Sequence, residues 1–211
     1  TSRRAGGDYY DFFPLSDGRW GLFIADVSGH GTPAAVLMAV THSIAHGVPG
    51  EPDPPSRLLG HVNRQLTRRY TAGNGTFVTA FYGIFDPATR GFTYACAGHP
   101  QPRVKPCDGR CAAVKLDQSL SLPLGIIADE PYHDATITLH PGDVLVLFTD
   151  GITESRSPTG EMFGIERLDQ AVGGCGNDTE QMIRSILLAL EDFTDSAAPA
   201  DDQTLIVARV E

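Results

Sequence analysis

Short apolar runs bounded by turn residues dominate the chain and predict strands joined by tight turns. Residues 20–27 (WGLFIADV) are rich in aromatic and branched side chains, which is typical of a buried strand. Ser-Asp-Gly at 16–18 is a turn signal, so residues 8–14 are predicted to pair with this strand as an antiparallel hairpin. Two further hairpins are predicted in the same way, one joining 76–85 to 92–97 and one joining 132–139 to 143–149. Two single strands are predicted at 103–106 and 205–210.

Helical patterns lie between these groups of strands. After the glycines at 29 and 31, Thr32 is suited to cap a helix and Pro33 to occupy its first position, so a helix is predicted over 34–45. Three more helices are predicted, at 56–70, 163–172 and 179–193. Grouped hairpins with helix pairs between them, rather than an alternating β-α-β order, predict an α+β fold with two packed antiparallel sheets flanked by helices.

The composition indicates one globular domain. The chain has 211 residues, of which 41% are hydrophobic and 20% charged, and this is enough for a single sizeable core. No apolar run reaches transmembrane length and no signal peptide opens the chain, so we expect a cytoplasmic domain that makes no membrane contact. Because a motif at Asp8 lies so near the first residue, residues 1–211 are predicted to be one domain cut from a longer protein.

Charge and cysteine content narrow the expected partners. The net charge is −10, which repels phosphate backbones, so no nucleic-acid partner is expected. Cys96 lies in an apolar run and is predicted to be a small core residue. Cys107 and Cys111 flank a turn, where a disulfide or half of a zinc site is an alternative to the reduced thiols that we expect in a cytosolic protein.

Four aspartates lie where hydrophobic runs meet glycine-rich turns. They are Asp8 in GGDYYD, Asp26 in ADVSGHG, Asp150 in FTDG and Asp201 in ADDQT. Carboxylates at the ends of buried strands are rigid, and when several converge they repel one another unless a cation neutralises them. Oxygen ligands suit hard ions such as Mg²⁺ or Mn²⁺, and such ions usually serve hydrolytic or phosphoryl chemistry.

Each of these residues also has a purely structural interpretation. Asp26 is equally a candidate helix cap and Asp150 a turn aspartate, although two such strand ends in one chain favour function. Asp11 lies three residues after Asp8 and is predicted to point to the opposite face, in a structural role. Asp201 and its neighbour Asp202 form a solvated acidic turn in the alternative view.

Six motifs together carry a family resemblance. They are GGDYYDFF, ADVSGHGTPAAVLMA, AGHPQP, LPLG, GDVLVLFTDGITE and DDQTLIVARV. In this order the motifs resemble the bacterial branch of metal-dependent protein phosphatases, represented by the SpoIIE and RsbU serine phosphatases and similar in fold to the eukaryotic type 2C phosphatases. The resemblance covers residues 6–210 and implies a four-layer α-β-β-α sandwich with a site for two Mn²⁺ or Mg²⁺ ions at one edge of the central sheets.

The resemblance also implies a ligand set. Asp8 holds one metal, Asp26 bridges both, and the backbone carbonyl of Val27 adds a ligand. Asp150 and Asp201 hold the other metal, where the first residue of the Asp-Asp pair is taken as the ligand. A water that bridges the metals is then the expected attacking group, and no protein nucleophile is required.

Three further residues belong to this expectation. Arg4 is a candidate for gripping the substrate phosphate, with a solvated basic pair as the alternative. His30 is a candidate general acid, although a structural turn histidine is favoured. His99, in the AGHP motif, is expected to support the core.

The function that follows is hydrolysis of phosphoserine or phosphothreonine on a protein. In the family the usual substrate is a phosphorylated anti-anti-sigma (STAS) protein, and the domain is attached to an N-terminal sensor domain as an output domain. A homodimer is left open. The alternatives are a non-catalytic module that binds a partner, and a hydrolase that acts on a small phosphorylated metabolite.

Overall fold

The computed structural model describes residues 6–107 and 113–211, and the chain divides into two compact units. The first unit comprises the residues up to His99 together with Asp117–Thr138, and the second comprises Pro100–Leu116 and Leu139–Glu211. The described strands β1 to β10 are Tyr9–Pro14, Trp20–Val27, Val78–Asp86, Gly91–Ala97, Arg103–Lys105, Val114–Lys115, Leu120–Ser121, Ala135–Thr138, Val144–Phe148 and Leu205–Arg209. The described helices α1 to α5 are Thr32–His46, Pro55–Leu66, Asp150–Thr153, Gly164–Gly174 and Thr179–Thr194.

The first unit is built on a sheet in the order β1-β2-β3-β4-β7, with β8 also paired to β4. The pairs are antiparallel except for β4 and β7, which run parallel with Cys96 opposite Leu120. Helices α1 and α2 pack on this sheet. The α2 side chains of Leu58, Leu59 and Val62 are buried in one core cluster with strand residues, because the apolar positions of α2 recur at helical spacing.

The helix predicted over 56–70 changes character before it ends. The α-helix α2 stops at Leu66, and a single π-helical turn, Thr67–Thr71, follows. The hydroxyl of buried Thr71 donates a 2.6 Å hydrogen bond to the carbonyl of Gly125. This bond ties the end of the helical segment to the loop after β7.

The second unit is built on a four-stranded sheet in the order β10-β9-β5-β6. Strand β9 is buried along its whole length and lies between β10 and β5. Helix α5 packs on β10, and α4 packs on α5. Two sheets, mainly antiparallel and each carrying its own helices, confirm the predicted α+β class.

The predicted hairpin across 140–143 is wrong. Strand β8 pairs with β4 in the first sheet, whereas β9 pairs with β5 and β10 in the second. The turn itself is held by the second unit, because the Asp143 carboxylate accepts hydrogen bonds from the backbone N–H groups of Cys107 (2.9 Å) and His140 (2.8 Å). A fully buried strand such as β9 needs partners on both sides, and a half-exposed strand such as β8 suits a sheet edge.

The predicted helix cap at Thr32 also needs correction. Thr32 is the first residue of α1, and the N-cap is Gly31, which makes no side-chain capping bond. Gly31 has φ of 77° and ψ of −156°, a conformation that glycine adopts without strain.

The described thiols match the sequence-based expectation. Cys96, Cys107 and Cys175 are free, and burial raises the pKa of the Cys96 thiol to about 11. A thiol of this kind is an inert core group. The alternative of a pair between Cys107 and Cys111 involves a residue outside the described part of the chain.

Among residues 6–107 and 113–211, no helix has both the length and the apolar character needed to span a membrane.

Candidate metal centre

The β1–β2 hairpin places Asp8 opposite Asp26. Tyr9 is paired with Ala25 in the ladder, and the N–H of Val27 donates a 3.2 Å hydrogen bond to the carbonyl of Gly7, so the register continues through the two aspartates. Residues directly opposite in an antiparallel pair point to the same face, with Cβ atoms about 5 Å apart. The two carboxylates are therefore a cross-strand pair at one end of the sheet.

Gly7 gives this edge its close packing. A Cβ atom at Gly7 would lie 3.0 Å from the carbonyl oxygen of Val27 and 3.2 Å from Oδ1 of Asp26. Only a residue without a side chain leaves that space open beside two oxygen atoms. The backbone of Gly7 thus packs closely against the Val27 carbonyl oxygen and the Asp26 carboxylate, which lie side by side.

The AGHP motif supports the same edge from the neighbouring strands. Asp26 is opposite Thr79 of β3, and Thr79 shares a 3.0 Å hydrogen bond with Nδ1 of His99, which is only 1% exposed. Gly98 has φ of 67°, and a Cβ atom there would lie 2.4 Å from Pro123 of the LPLG motif. His99 therefore lies in the core beside the strand that carries Asp26, as expected.

Asp11 lies elsewhere. It shares the half-buried face of β1 with Tyr9. Its Oδ2 accepts a 2.9 Å hydrogen bond from the Tyr9 hydroxyl. The same oxygen lies 2.7 Å from Nε2 of His46. Burial and the Asp11 carboxylate raise the pKa of the Tyr9 phenol well above its usual range. Asp11 thus links β1 to the end of α1 and has the structural role predicted for it.

In the second unit, Asp150 lies two residues after the end of β9 and begins α3. The preceding residue, Thr149, pairs with Thr204 through two hydrogen bonds. The Thr149 N–H donates to the Thr204 carbonyl (3.1 Å), and the Thr204 N–H donates to the Thr149 hydroxyl (3.0 Å). These bonds extend the β9–β10 ladder by one pair. The chain before β10 is thereby brought alongside Asp150.

The chain before β10 approaches residue 151 so closely that only glycine fits there. A Cβ atom at Gly151 would lie 1.9 Å from the carbonyl oxygen of Asp202. The Gln203 side chain bonds to the carbonyl of Gly151 (3.2 Å) and to the hydroxyl of Ser155 (2.8 Å). The acidic loop is therefore held against the start of α3.

Asp150 and Asp201 line one cavity of about 540 Å³ within the second unit. Asp201 borders this cavity and Asp202 does not, while Oδ1 of Asp201 accepts a 2.9 Å hydrogen bond from the Asp202 N–H. Arg156 adds a positive charge to the wall. Asp201 therefore faces the same cavity as Asp150, and the choice of Asp201 as the ligand stays a prediction.

The donor set fits hard divalent cations. Asp8, Asp26 and the Val27 carbonyl lie in the first unit, and Asp150 and Asp201 lie in the second, so every candidate donor is an oxygen atom. Like charges directly opposite on a sheet are destabilising, and a cation beside Asp8 and Asp26 would relieve that repulsion. Within the described residues, no three His, Cys, Asp or Glu side chains form a ready-made metal cluster, and the ligand set stays a prediction.

Two of the predicted residues add little to this geometry. Arg4 lies outside the described residues. His30 is exposed in the loop that leads into α1, and its role stays a prediction.

Sequence reasoning missed Gly7, Gly151 and Gln203 as residues that shape the site. The two glycines were visible only as neighbours of aspartates, in Gly-Asp and Asp-Gly pairs, which are also ordinary turn signals. Gln203 had no recognisable signal, because its role depends on a contact with α3.

The comparisons with known proteins agree with this architecture. The family model described as Stage II sporulation protein E (SpoIIE) matches residues 16–211. Phosphoserine phosphatase RsbU of Bacillus subtilis (strain 168) is 32% identical over 99% of this chain, and the chain spans 60% of that relative's length.

Solved structures show the same fold. The SiaA-PP2C domain of Pseudomonas aeruginosa aligns with a TM-score of 0.83 and 23% identity over 98% of this chain and 81% of that domain. The RsbU and RsbW domains of Rv1364c from Mycobacterium tuberculosis align with a TM-score of 0.74 and 26% identity over 100% of this chain and 57% of that one. Because the family model covers nearly the whole chain and the fold agrees throughout, the chain belongs to the SpoIIE family of PP2C-type phosphatase domains.

Proposed function

We propose that the chain is a metal-dependent serine/threonine protein phosphatase. The observation that carries the proposal is the cross-strand pair of Asp8 and Asp26 beside the carbonyl of Val27. An all-oxygen site of this kind selects Mg²⁺ or Mn²⁺ over softer metals. The name of the relative RsbU, a phosphoserine phosphatase, supports the reaction class.

In this assignment Asp8, Asp26 and the Val27 carbonyl are ligands from the first unit, and Asp150 and Asp201 are ligands from the second. Two Mn²⁺ or Mg²⁺ ions, when bound, supply an acidified water as nucleophile and neutralise charge on the phosphoryl group. The donor set supports this, because carboxylate and carbonyl oxygens are the ligands that Mg²⁺ and Mn²⁺ prefer.

The chain's own residues supply rigidity. The β1–β2 ladder fixes the Asp8 and Asp26 backbones, and the bond between Thr79 and His99 holds the adjacent strand. Ligands that cannot relax apart hold their geometry through the reaction, which is a requirement of precise metal sites. Arg4 is retained as the candidate that grips the substrate phosphate, since a guanidinium matches phosphate oxygens in a bidentate manner.

The proposed substrate is a phosphorylated STAS-type anti-anti-sigma protein. Support comes from relatives: the similar protein Rv1364c carries RsbU and RsbW domains in one chain. We propose further that residues 1–211 act as the output domain of a longer chain with an N-terminal sensor domain, since the chain spans 60% of RsbU. The free thiols of Cys96, Cys107 and Cys175 suit a cytoplasmic location.

The test is hydrolysis of p-nitrophenyl phosphate and of a phosphoserine peptide in the presence of Mn²⁺, with EDTA-treated protein as the reference. Activity with both substrates that is lost in EDTA and restored by Mn²⁺ or Mg²⁺ is the expected result. Absence of turnover at saturating metal would leave the non-catalytic binding module as the better account. A preference for small phosphorylated metabolites over the peptide would favour the metabolite hydrolase instead.

A further inference from the structure

Helix α2 carries a basic face that the metal site does not use. Arg57, His61, Arg64 and Arg68 follow one another at intervals of four, three and four residues, which places them on one side of the helical segment. The three arginines are exposed. Burial lowers the pKa of His61, and the positive charges of Arg64 and Arg57 lower it further, so this face is positive even with a neutral histidine.

Among residues 6–107 and 113–211, no carboxylate forms a salt bridge with an arginine of the basic face. The Arg57 guanidinium donates to the carbonyls of Pro49 (2.8 Å) and Asp53 (3.3 Å), not to a carboxylate. In the part of the chain that the structure describes, the salt bridges found involve other arginines, and none includes Arg57, Arg64, Arg68 or Arg69. In a chain of net charge −10, such a face is complementary to an acidic partner rather than to the protein itself.

A buried side chain of α2 is tied to the loop that follows β7. Asn63, which is 0% exposed, accepts a 2.8 Å hydrogen bond from the Gly125 N–H and donates a 2.8 Å bond to the Ile127 carbonyl. The Thr71 hydroxyl adds the bond to the Gly125 carbonyl. These three bonds fix the loop against the end of α2 and its π turn.

That loop also lies near the carboxylate edge of the same unit. Val27 is paired with Val78, and Val78 exchanges hydrogen bonds of 2.9 and 2.8 Å with Leu124. Leu124 therefore lies two inter-strand spacings across the sheet from Val27, a distance of about 10 Å. A segment bound beside the loop lies within a few residues' reach of the Val27 carbonyl.

The same loop and the π turn expose apolar side chains. Ile126 and Ile127 are 47% and 51% exposed, and Tyr70 in the π turn is 43% exposed. Exposed apolar side chains in a unit that also presents exposed arginines are typical of a protein interface rather than of a phosphate-backbone site.

We propose that the basic face of α2, together with Tyr70, Ile126 and Ile127, docks an acidic and partly apolar segment of the phosphoprotein substrate. The inference rests on the proposed function, because it names how the substrate of that site is recognised. Arg57 to Arg68 spans eleven helical steps, about 16 Å, which matches three turns of an acidic helix. The chemistry that would recognise this surface is a row of Glu or Asp side chains flanked by leucine-like residues.

The probes are two phosphoserine peptides with the same core sequence. One carries a helical extension of Glu and Leu residues joined by a short flexible linker, and the other has Gln in place of each Glu. Binding is measured by fluorescence anisotropy and turnover by phosphate release. For the native chain at low salt, we expect the acidic peptide to bind about tenfold more tightly than the Gln peptide, and the difference to vanish at high salt.

The test variant is Arg64→Gln with Arg68→Gln, and the matched control is Arg184→Gln with Arg209→Gln, two exposed arginines of the second unit that change the net charge equally. In the test variant we expect the acidic and Gln peptides to become equal in Kd and in kcat/KM. The control keeps the preference of the native chain.

An undiminished preference for the acidic peptide in the test variant overturns the docking proposal, and so does an equal loss in the control. A DNA oligonucleotide that competes more strongly than the acidic peptide overturns it as well. Peptide binding without hydrolysis of any phosphate substrate overturns the proposed phosphatase activity but does not contradict the docking surface. Hydrolysis without a preference for the acidic peptide overturns the docking proposal but leaves the proposed phosphatase activity standing.

Discussion

The two carboxylate pairs are held by different means. Asp8 and Asp26 are cross-strand neighbours, so the ladder of β1 and β2 alone sets their spacing. Asp150 and Asp201 lie at a helix start and in a loop, and the contact of Gly151 with Asp202 and the bonds of Gln203 hold that loop in place. The first pair depends on backbone register, and the second depends on side-chain and loop packing.

This difference predicts where each pair is vulnerable. A ladder of backbone hydrogen bonds tolerates substitution of its side chains, because the register is maintained by many pairs at once. A loop held by a few contacts moves when one contact is lost, and the groups it carries move with it. The first edge should therefore be sensitive to changes in its two aspartates and in Gly7, which packs against Asp26, and the second also to changes in the side chain and loop contacts that hold it.

The largest expected effect is the loss of the Asp26 carboxylate. Asp26→Asn keeps the shape of the side chain but removes the charge, so kcat/KM for p-nitrophenyl phosphate with Mn²⁺ should fall by about 10³-fold, roughly 4 kcal/mol. Asp192→Asn, an exposed change on α5, is the matched control and should stay near the native value. Circular dichroism checks the fold, and near-native turnover in Asp26→Asn would remove the metal assignment.

The next effect separates the adjacent aspartates of the second edge. Asp201→Asn should lower kcat/KM by about 10²-fold, because Asp201 borders the cavity that Asp150 lines. Asp202→Asn should change it by no more than about threefold. Steady-state kinetics at several Mn²⁺ concentrations measure both, and a larger loss in Asp202→Asn would reverse the ligand assignment.

A smaller effect tests the support of the second edge. In Gly151→Ala the new Cβ atom would overlap the Asp202 carbonyl, so the loop must shift, with a loss of about 2 kcal/mol in the free energy of unfolding. We expect about a tenfold fall in activity, because Asp201 moves with the loop. Gly174→Ala, where no atom lies within 4 Å of the new Cβ, is the control. Urea denaturation and kinetics give both quantities, and unchanged activity would show that loop position does not matter.

The smallest effect concerns repulsion at the first edge. Without metal, Asp8 opposes Asp26, so Asp8→Asn should raise the stability in EDTA by about 0.5–1 kcal/mol, or roughly 1–4 °C in Tm. With Mn²⁺ present the sign should reverse, since the native ligand set gains more from the bound ion. Differential scanning calorimetry with and without metal measures this, and a lower Tm in EDTA would contradict the repulsion argument.

Local patterns predicted much of the fold. Strand β2 was predicted at its observed bounds, and the predicted end of α5 lies one residue before the observed end. The hairpin across 140–143 failed, because a turn signal does not reveal which sheet each neighbouring strand joins. The short strands β6 and β7 were missed, since two-residue pairings leave no periodic pattern.

The sequence by itself determined the α+β class, the β1–β2 hairpin and the aspartates at strand ends, because hydrophobic period and turn chemistry act within a few residues of one another. Only the tertiary structure decided that Gly7 opens space beside Asp26, that Gly151 admits the Asp202 carbonyl, and that α2 presents a basic face beside the Leu124–Ile127 loop. These features depend on contacts between segments far apart in the chain, and close packing, not local preference, selects the residues that make them.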